Sequence, residues 1–231
     1  MNLFYAPSED IRQSGITIRD QEAAHIAKVL RHQIGDNLQV TDGVGNLYSC
    51  VIRNIQKSII DLSIIERRLV ERSIPFVTLC IGNIKKRDRL EFAVEKATEL
   101  GVDRLIIFRG DHSQKEKVRK ERIVSTVISA MKQSLRVYLP EIIFEDSLKN
   151  VLEHQKAGEL LLMADESTDQ RVEIDQDEKS LFMVVGPEGG FSKNEREILK
   201  AKNAHRLSLG DQRLRTETAA IIMADRFKNR Q

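Results

Sequence analysis

Apolar residues alternate with polar ones over residues 37–41, 47–55 and 59–65, and the breaks between these runs fall at Asp42-Gly43 and Lys57-Ser58. Period-two alternation bounded by turn residues predicts half-buried strands, so the first third reads as a small β-barrel. One helix interrupts it. Over residues 20–32, Ile26, Val29 and Leu30 form an apolar side, while Ala24, Ala27 or Lys28, and Arg31 share the remaining faces. Past Pro75 the period changes: apolar runs at 76–82, 105–108, 160–164, 182–185 and 206–209 are separated by helix-like segments. Alternating strands and helices predict an α/β domain with a mainly parallel sheet covered by helices on both faces.

Two helix boundaries can be placed. Asp88 with Glu91 has the spacing of an N-cap pair, Leu90, Val94, Ala97 and Leu100 repeat on one face, and Gly101 supplies a C-terminal stop. Ser192-Lys-Asn-Glu195 has the capping-box spacing and starts a second helix. The charged stretch Glu66-Arg-Arg-Leu-Val-Glu-Arg72 separates the two patterns. It either closes the barrel as its last strand or begins a linker, which we place at 67–74, giving domains at 1–70 and 71–231.

Composition narrows the function classes. A chain of 231 residues with 41% hydrophobic content can bury one large core or two smaller ones, and two unequal domains fit the patterns above. The net charge is only +2, so any contact with nucleic acid must rest on local basic patches. Cys50 and Cys80 lie in apolar runs with no C-x-x-C partner, and the histidines lack H-E-x-x-H spacing. This predicts buried thiols in a reducing compartment and no metal. No apolar run approaches membrane-spanning length, and the opening Met-Asn-Leu-Phe-Tyr-Ala-Pro lacks a basic region followed by an apolar core; a soluble, cytoplasmic protein with no membrane partner is expected.

The candidate chemistry lies in two glycine-marked loops, Gly186-Pro-Glu-Gly-Gly-Phe-Ser192 and Leu209-Gly-Asp-Gln-Arg-Leu-Arg-Thr-Glu-Thr-Ala219. Each follows a strand-like run and precedes a helix-like one. Glycines there let bare backbone approach a ligand, and the following helix offers unpaired N–H groups. Gly186, Gly189 and Gly190 are not spaced as a dinucleotide fingerprint, and Phe191 stands where a phosphate loop needs lysine, so NAD and ATP sites are disfavoured.

The segments Val185-Gly-Pro-Glu-Gly-Gly-Phe-Ser192, Leu209-Gly and Leu214-Arg-Thr-Glu-Thr-Ala219 resemble the cofactor loops of RsmE-type methyltransferases of the knotted SPOUT superfamily. The resemblance extends to Glu95-Lys-Ala-Thr-Glu-Leu-Gly-Val102, to Gln133-Ser134 with Arg136, and to His25 with Val29-Leu-Arg31, so that it covers nearly the whole chain. The chain departs from the family in placing Lys132 before its Gln-Ser pair and Asn2-Leu3-Phe4-Tyr5 near its start. The resemblance implies a PUA-like β-barrel RNA-binding domain followed by a trefoil-knotted methyltransferase domain. It implies S-adenosyl-L-methionine as donor, N3 of uridine 1498 in the family's numbering of 16S ribosomal RNA as acceptor, and a homodimer. By the same resemblance the donor site comprises Val185, Gly186, Pro187, Glu188, Gly189, Gly190, Leu209, Gly210, Leu214, Thr216, Thr218 and Ala219.

Individual residues keep two readings. Met163 and Asp165, at the end of the third strand of the α/β domain, are expected to border the pocket, with core packing an equal reading for Met163. Glu188 is placed in the donor loop and not in catalysis, because methyl transfer removes the sulfonium charge that a carboxylate would stabilise. Uracil N3 carries a proton, so its anion must be favoured; Arg215, beside the expected donor, is the catalytic candidate, or else it forms a salt bridge to Glu217 or another carboxylate. Lys28, Arg31 and His32, together with Lys85, Lys86 and Arg87, form two basic patches that contact phosphate or are simply solvated. Lys132 and Arg136, one turn apart on a predicted helix, either grip phosphate or flank an apolar stripe. An RNA methyltransferase leads, ahead of a non-catalytic RNA-binding protein with a vestigial pocket and an enzyme using another nucleotide.

Overall fold

In the computed structural model, residues 2–114, 118–168, 174–175 and 177–228 are described. They divide into two units, residues 1–72 with 128–139, and residues 73–127 with 140–231. The alternating runs of the first third become β1 (Leu3–Tyr5), β2 (Gly15–Arg19), β3 (Asn37–Thr41), β4 (Asn46–Ile55) and β5 (Ile59–Leu69). They form a mixed sheet in the order β1-β3-β4-β5-β2, parallel between β1 and β3 and antiparallel elsewhere. Every second residue enters one core: Ile16 and Ile18, Leu38 and Val40, Tyr48, Cys50 and Ile52, Ile60 and Leu62. The sheet curls into a half-barrel and does not close, since β1 and β2 remain its edges among the described residues. β1 is three residues long and Pro7 follows it closely, which denies the ladder a further N–H donor.

The stretch 66–69 continues β5, with Leu69 opposite Asn46, so the strand reading of that charged segment holds up to Leu69. The predicted helix at 20–32 is shorter and irregular: α1 (Asp20–Ala24) runs into one π-helical turn at His25–Val29, and Arg31 adopts φ 59°. Residues 128–139 join this unit through specific bonds. Thr41 Oγ1 donates to the Val137 carbonyl (3.1 Å), Tyr138 Oη to that of Val70 (2.8 Å), and Lys132 Nζ meets Glu22 Oε2 at 2.6 Å.

The second unit is built on six parallel strands in the order β11-β9-β10-β6-β7-β8. These are β6 (Phe76–Gly82), β7 (Arg104–Phe108), β8 (Glu141–Glu145), β9 (Leu160–Ala164), β10 (Ser180–Val185) and β11 (His205–Leu207). Cys80, Ile106, Phe108, Leu161, Met163, Phe182 and Val184 form one face with Leu148, Val151 and Leu152 of α4 (Leu148–Glu153) and Leu199 of α5 (Lys193–Ala201). The opposite face is covered by α6 (Thr216–Lys228), which packs on β6, β10 and α2 (Arg87–Glu99). Both cysteines are free and buried, and burial pushes the Cys50 thiol up to about 11 and the Cys80 thiol well above its ordinary range. Among the described residues no helix is long and apolar enough to cross a membrane.

The predicted helix ends fare unequally. Ser192 and Glu195 cap α5 reciprocally, Glu195 N donating to Ser192 Oγ (3.1 Å) and Ser192 N to Glu195 Oε2 (2.8 Å). Gly101, at φ 103°, terminates α2 as its N–H reaches Thr98 O and that of Val102 reaches Ala97 O, a Schellman closure. Asp88 is not the N-cap. α2 begins at Arg87, placing Asp88 inside the first turn, while Glu91 accepts from Arg122 Nε at 3.1 Å. Lys132 and Arg136 also do not share a helix, because α3 (Lys120–Gln133) stops before Leu135, which holds φ 57° while Arg136 N closes on Met131 O.

Candidate active site

A cavity of about 350 Å³ opens where β9 and β10 end, a volume in the range of small-molecule sites. Parallel strands deliver their carboxyl ends to one edge, and the loops that follow build the walls. The end of β10 contributes Val185 and the loop after it Gly186, Pro187, Glu188, Gly190 and Phe191; the loop after β11 contributes Leu209, Gly210, Gln212, Arg213, Leu214 and Arg215; and α6 contributes Thr216, Glu217 and Ala219. The two glycine loops singled out in the sequence therefore meet around one space.

Backbone packing shapes the first loop. Gly82, the last residue of β6, lies so close to it that a Cβ there would stand 2.3 Å from Pro187 N. Gly190 has φ 69° and donates to Pro187 O at 2.8 Å, a turn that favours glycine, with nothing within 4 Å of where its Cβ would be. His112 Nδ1 lies 3.0 Å from Gly189 O and 3.2 Å from Gly190 O, and the capping Glu195 also accepts from Asp111 N at 3.1 Å, so residues 111–112 brace the loop from behind. Neither His112 nor Asp111 carries a motif that sequence reading could have flagged.

Three members of the predicted donor set stand off the cavity wall. Met163 is buried in the core shared with α4 and α5, and the adjacent Ala164 and Asp165 line the space, Asp165 as the sequence suggested. Gly189 abuts His112, and Thr218 lies on α6 between the wall residues Glu217 and Ala219. The others on that list all line it.

Charge is arranged in pairs around the wall. Asp165 is fully covered, and burial alone would raise its pKa. Hydrogen bonds from Arg196 (2.9 Å), from the amide and hydroxyl of Ser167 (3.0 and 2.8 Å) and from Arg206 (2.7 Å) more than offset this, holding the carboxyl well below the usual range. A carboxylate with a lowered folded-state pKa contributes stability that is complete above the unfolded value, about 3.9, and is lost as pH falls below it. Asp165→Asn should therefore flatten the acid limb of the stability curve below about pH 4 while lowering stability at neutral pH. Urea titrations from pH 2 to 7 check this; parallel curves for the two proteins would contradict it.

Arg89 of α2 bridges the first glycine loop and α6, with Nη1 3.8 Å from Glu188 Oε1 and Nε 3.5 Å from Glu217 Oε1. Glu217 thus faces Arg89 and not Arg215. Among the described residues no carboxylate pairs with Arg215, which lies exposed at the cavity mouth and begins the first turn of α6 by accepting from Ala219 N at 2.9 Å. Arg89 went unnoticed in the sequence because its signal is positional only.

The candidate RNA residues fall in both units. Lys28 and Arg31 are exposed on the first, and on the second Lys85 and Lys86, between β6 and α2, and Arg87, the first residue of α2. His32 is half-buried, its Nδ1 3.0 Å from Asp36 Oδ2 and its ring edge-on to Phe4. Lys132 has its ammonium on Glu22, which gives it a structural task within the first unit.

A parallel α/β unit whose two glycine loops wall one cavity has the architecture of a small-molecule-binding enzyme, and its sequence is that of an RNA methyltransferase domain. The sequence model of an RNA methyltransferase domain matches residues 71–228, and that of an RNA methyltransferase PUA domain matches residues 18–65. The chain belongs to the family of the ribosomal RNA small subunit methyltransferase E proteins. It is 31% identical to the member from Rickettsia conorii, covering 95% of this chain and 92% of that one. A probable rRNA-methyltransferase of Porphyromonas gingivalis superposes with a TM-score of 0.86 at 33% identity, over 97% of this chain and 95% of that one. The ribosomal RNA small subunit methyltransferase E of Neisseria gonorrhoeae, solved with bound S-adenosyl methionine, superposes with a TM-score of 0.85 at 25% identity, over 97% and 95%.

Proposed function

We propose that the protein methylates N3 of a uridine in 16S ribosomal RNA, position 1498 in the family's RNA numbering, with S-adenosyl-L-methionine as donor. The observation that carries this reading is the convergence of both glycine loops on one cavity lined by the exposed Arg215, whose guanidinium has no carboxylate partner among the described residues. The cavity suits the donor by its own chemistry. Gly186, Gly190 and Gly210 expose backbone, Val185, Leu209, Leu214 and Ala219 offer apolar walls for a purine and a thioether, and Glu188 supplies negative charge near a cationic ligand. When bound, the donor supplies an electrophilic methyl group.

The remaining work falls to the protein. Uracil N3 must lose its proton to expose an electron pair, and the negative charge then spreads onto O2 and O4. Arg215, held at the mouth, stabilises that charge as a preorganised electrostatic partner. Arg215→Ala should lower the single-turnover rate by about 100-fold or more and leave the donor dissociation constant nearly unchanged. Equal losses in turnover and in calorimetric affinity would remove Arg215 from this role.

The same reading includes a trefoil knot in the second unit, a homodimer, cytoplasmic location, and phosphate contacts by Lys28, Arg31, Lys85, Lys86 and Arg87. The test is titration with S-adenosylmethionine, S-adenosylhomocysteine, NAD and ATP, followed by methylation of unmodified small subunits and mass spectrometry of the digested RNA. Binding of the first two alone, and a methyl group on N3, is the expected result. A folded protein that binds neither is instead an RNA-binding module with a vestigial pocket.

A further inference from the structure

Transfer to N3 requires an acceptor for the N3 proton, and the cavity wall limits the choice. Among the described residues, its lining holds no histidine, lysine, tyrosine or cysteine; its titratable acceptors are Asp165, Glu166, Glu188 and Glu217. Asp165 has both oxygens filled, one by Ser167 and the other by Arg196 and Arg206. Glu166 is 57% exposed and paired with Arg213 at 3.1 Å, and Glu188, 37% exposed, stands in water beside Arg89. Glu217 differs from all three. Its side chain is 9% exposed and, among the described residues, its Oε1 has only the 3.5 Å approach of Arg89 Nε while its Oε2 is buried without a hydrogen-bond partner.

A buried carboxylate oxygen left without a donor costs free energy that a ligand hydrogen can recover. Resting on the uracil-N3 reading above, we propose that Glu217 is the catalytic proton acceptor, with Arg89 as the residue that positions it. Rotation about its last side-chain torsion exchanges the two oxygens, so that one meets Arg89 while the other receives the base. Arg89 from α2 approaches it, and Glu188 from the loop after β10 and Arg215 at the start of α6 line the same cavity. The step balances as follows: the N3 proton passes to Glu217, the electron pair of the N–H bond stays on the ring and forms the bond to the methyl carbon, and the donor sulfur keeps the pair of the broken C–S bond. The carboxylic acid then releases its proton to water. Arg215 and Glu217, two positions apart, thus divide the task into charge stabilisation and proton removal.

The test uses the full-length protein and small subunits assembled on RNA carrying either uridine or 5-fluorouridine at the target. Fluorine makes the N3 proton more acidic, so a variant lacking the acceptor gains from it more than the wild type does. Glu217→Gln should reduce the single-turnover rate on uridine by about 100-fold, keep the S-adenosylmethionine dissociation constant within about threefold of wild type, and recover about tenfold of its deficit on 5-fluorouridine. Its residual rate should also climb with pH as the base ionises unaided. Glu217→Asp, which retains a carboxylate, should give an intermediate rate with no more fluorine gain than wild type, and it serves if the glutamine variant folds poorly.

A glutamine variant that loses donor affinity in step with rate would make Glu217 an anchor for the donor's ammonium group and overturn the proposal. So would an equal deficit on both RNAs, or a wild-type rate. A wild-type product methylated at an atom other than N3 would overturn the functional reading itself, and the product's mass spectrum separates that failure from the others.

Discussion

Lys228→Met should destabilise the protein by about 3–5 kcal/mol, the cost of leaving a buried charge without its partner. Lys228 and Asp103 are almost completely covered, 3% and 1% exposed, and meet at 2.6 Å. The ammonium also donates to the carbonyls of Pro75 (2.6 Å) and Ser73 (3.3 Å), and Asp103 accepts from Val77 N at 2.9 Å. Methionine fills the volume of the lysine stem, so the loss isolates charge and hydrogen bonding from packing. A second change, Asp103→Asn, keeps an acceptor for Val77 N–H while removing the stranded charge, and the double variant should recover part of the loss. Urea denaturation with unchanged slope is the measurement. A loss below about 1 kcal/mol, within the range of exposed pairs, would mean that water reaches this site.

Gly82→Ala should cost about 3 kcal/mol, at the upper end for overpacking, and should abolish donor binding as well. The added methyl carbon would lie 2.3 Å from Pro187 N and 2.8 Å from Gly186 C. Neither is the end of a flexible side chain, so the strand or the loop must move. Because Gly186 and Pro187 form part of the cavity wall, the displacement opens the site. Calorimetry with S-adenosylmethionine on the folded variant, paired with a thermal melt, separates the two effects. Wild-type affinity would show that the loop relaxes outward without disturbing the wall.

Much of this molecule is legible from periodicity. The interior strands β3, β4, β5, β6 and β9 lie where alternation or an unbroken apolar run placed them, because burial on one or both faces writes itself into each residue. Edge strands are harder: β8, with residues only partly buried, carries too few apolar positions, and β1 is too short for a period. Local signals misled where tertiary contacts compete for the same side chains. Asp88 and Glu91 have N-cap spacing, yet Glu91 is engaged by Arg122; Lys132 and Arg136 have one-turn spacing, yet Leu135 takes a left-handed conformation between them. Gly82 and Arg89 shape the site from residues about a hundred or more positions away from the loops they touch, and no local pattern reports a contact at that separation.

The position of Lys228 also bears on how the chain is made. Its acceptors lie 155, 153 and 125 positions upstream, at the threshold of β6 and just before β7. A growing polypeptide therefore exposes Asp103 long before its counter-charge exists. Until the final turn of α6 leaves the ribosome, the methyltransferase unit lacks one of its buried fastenings, so its full stability waits on residue 228.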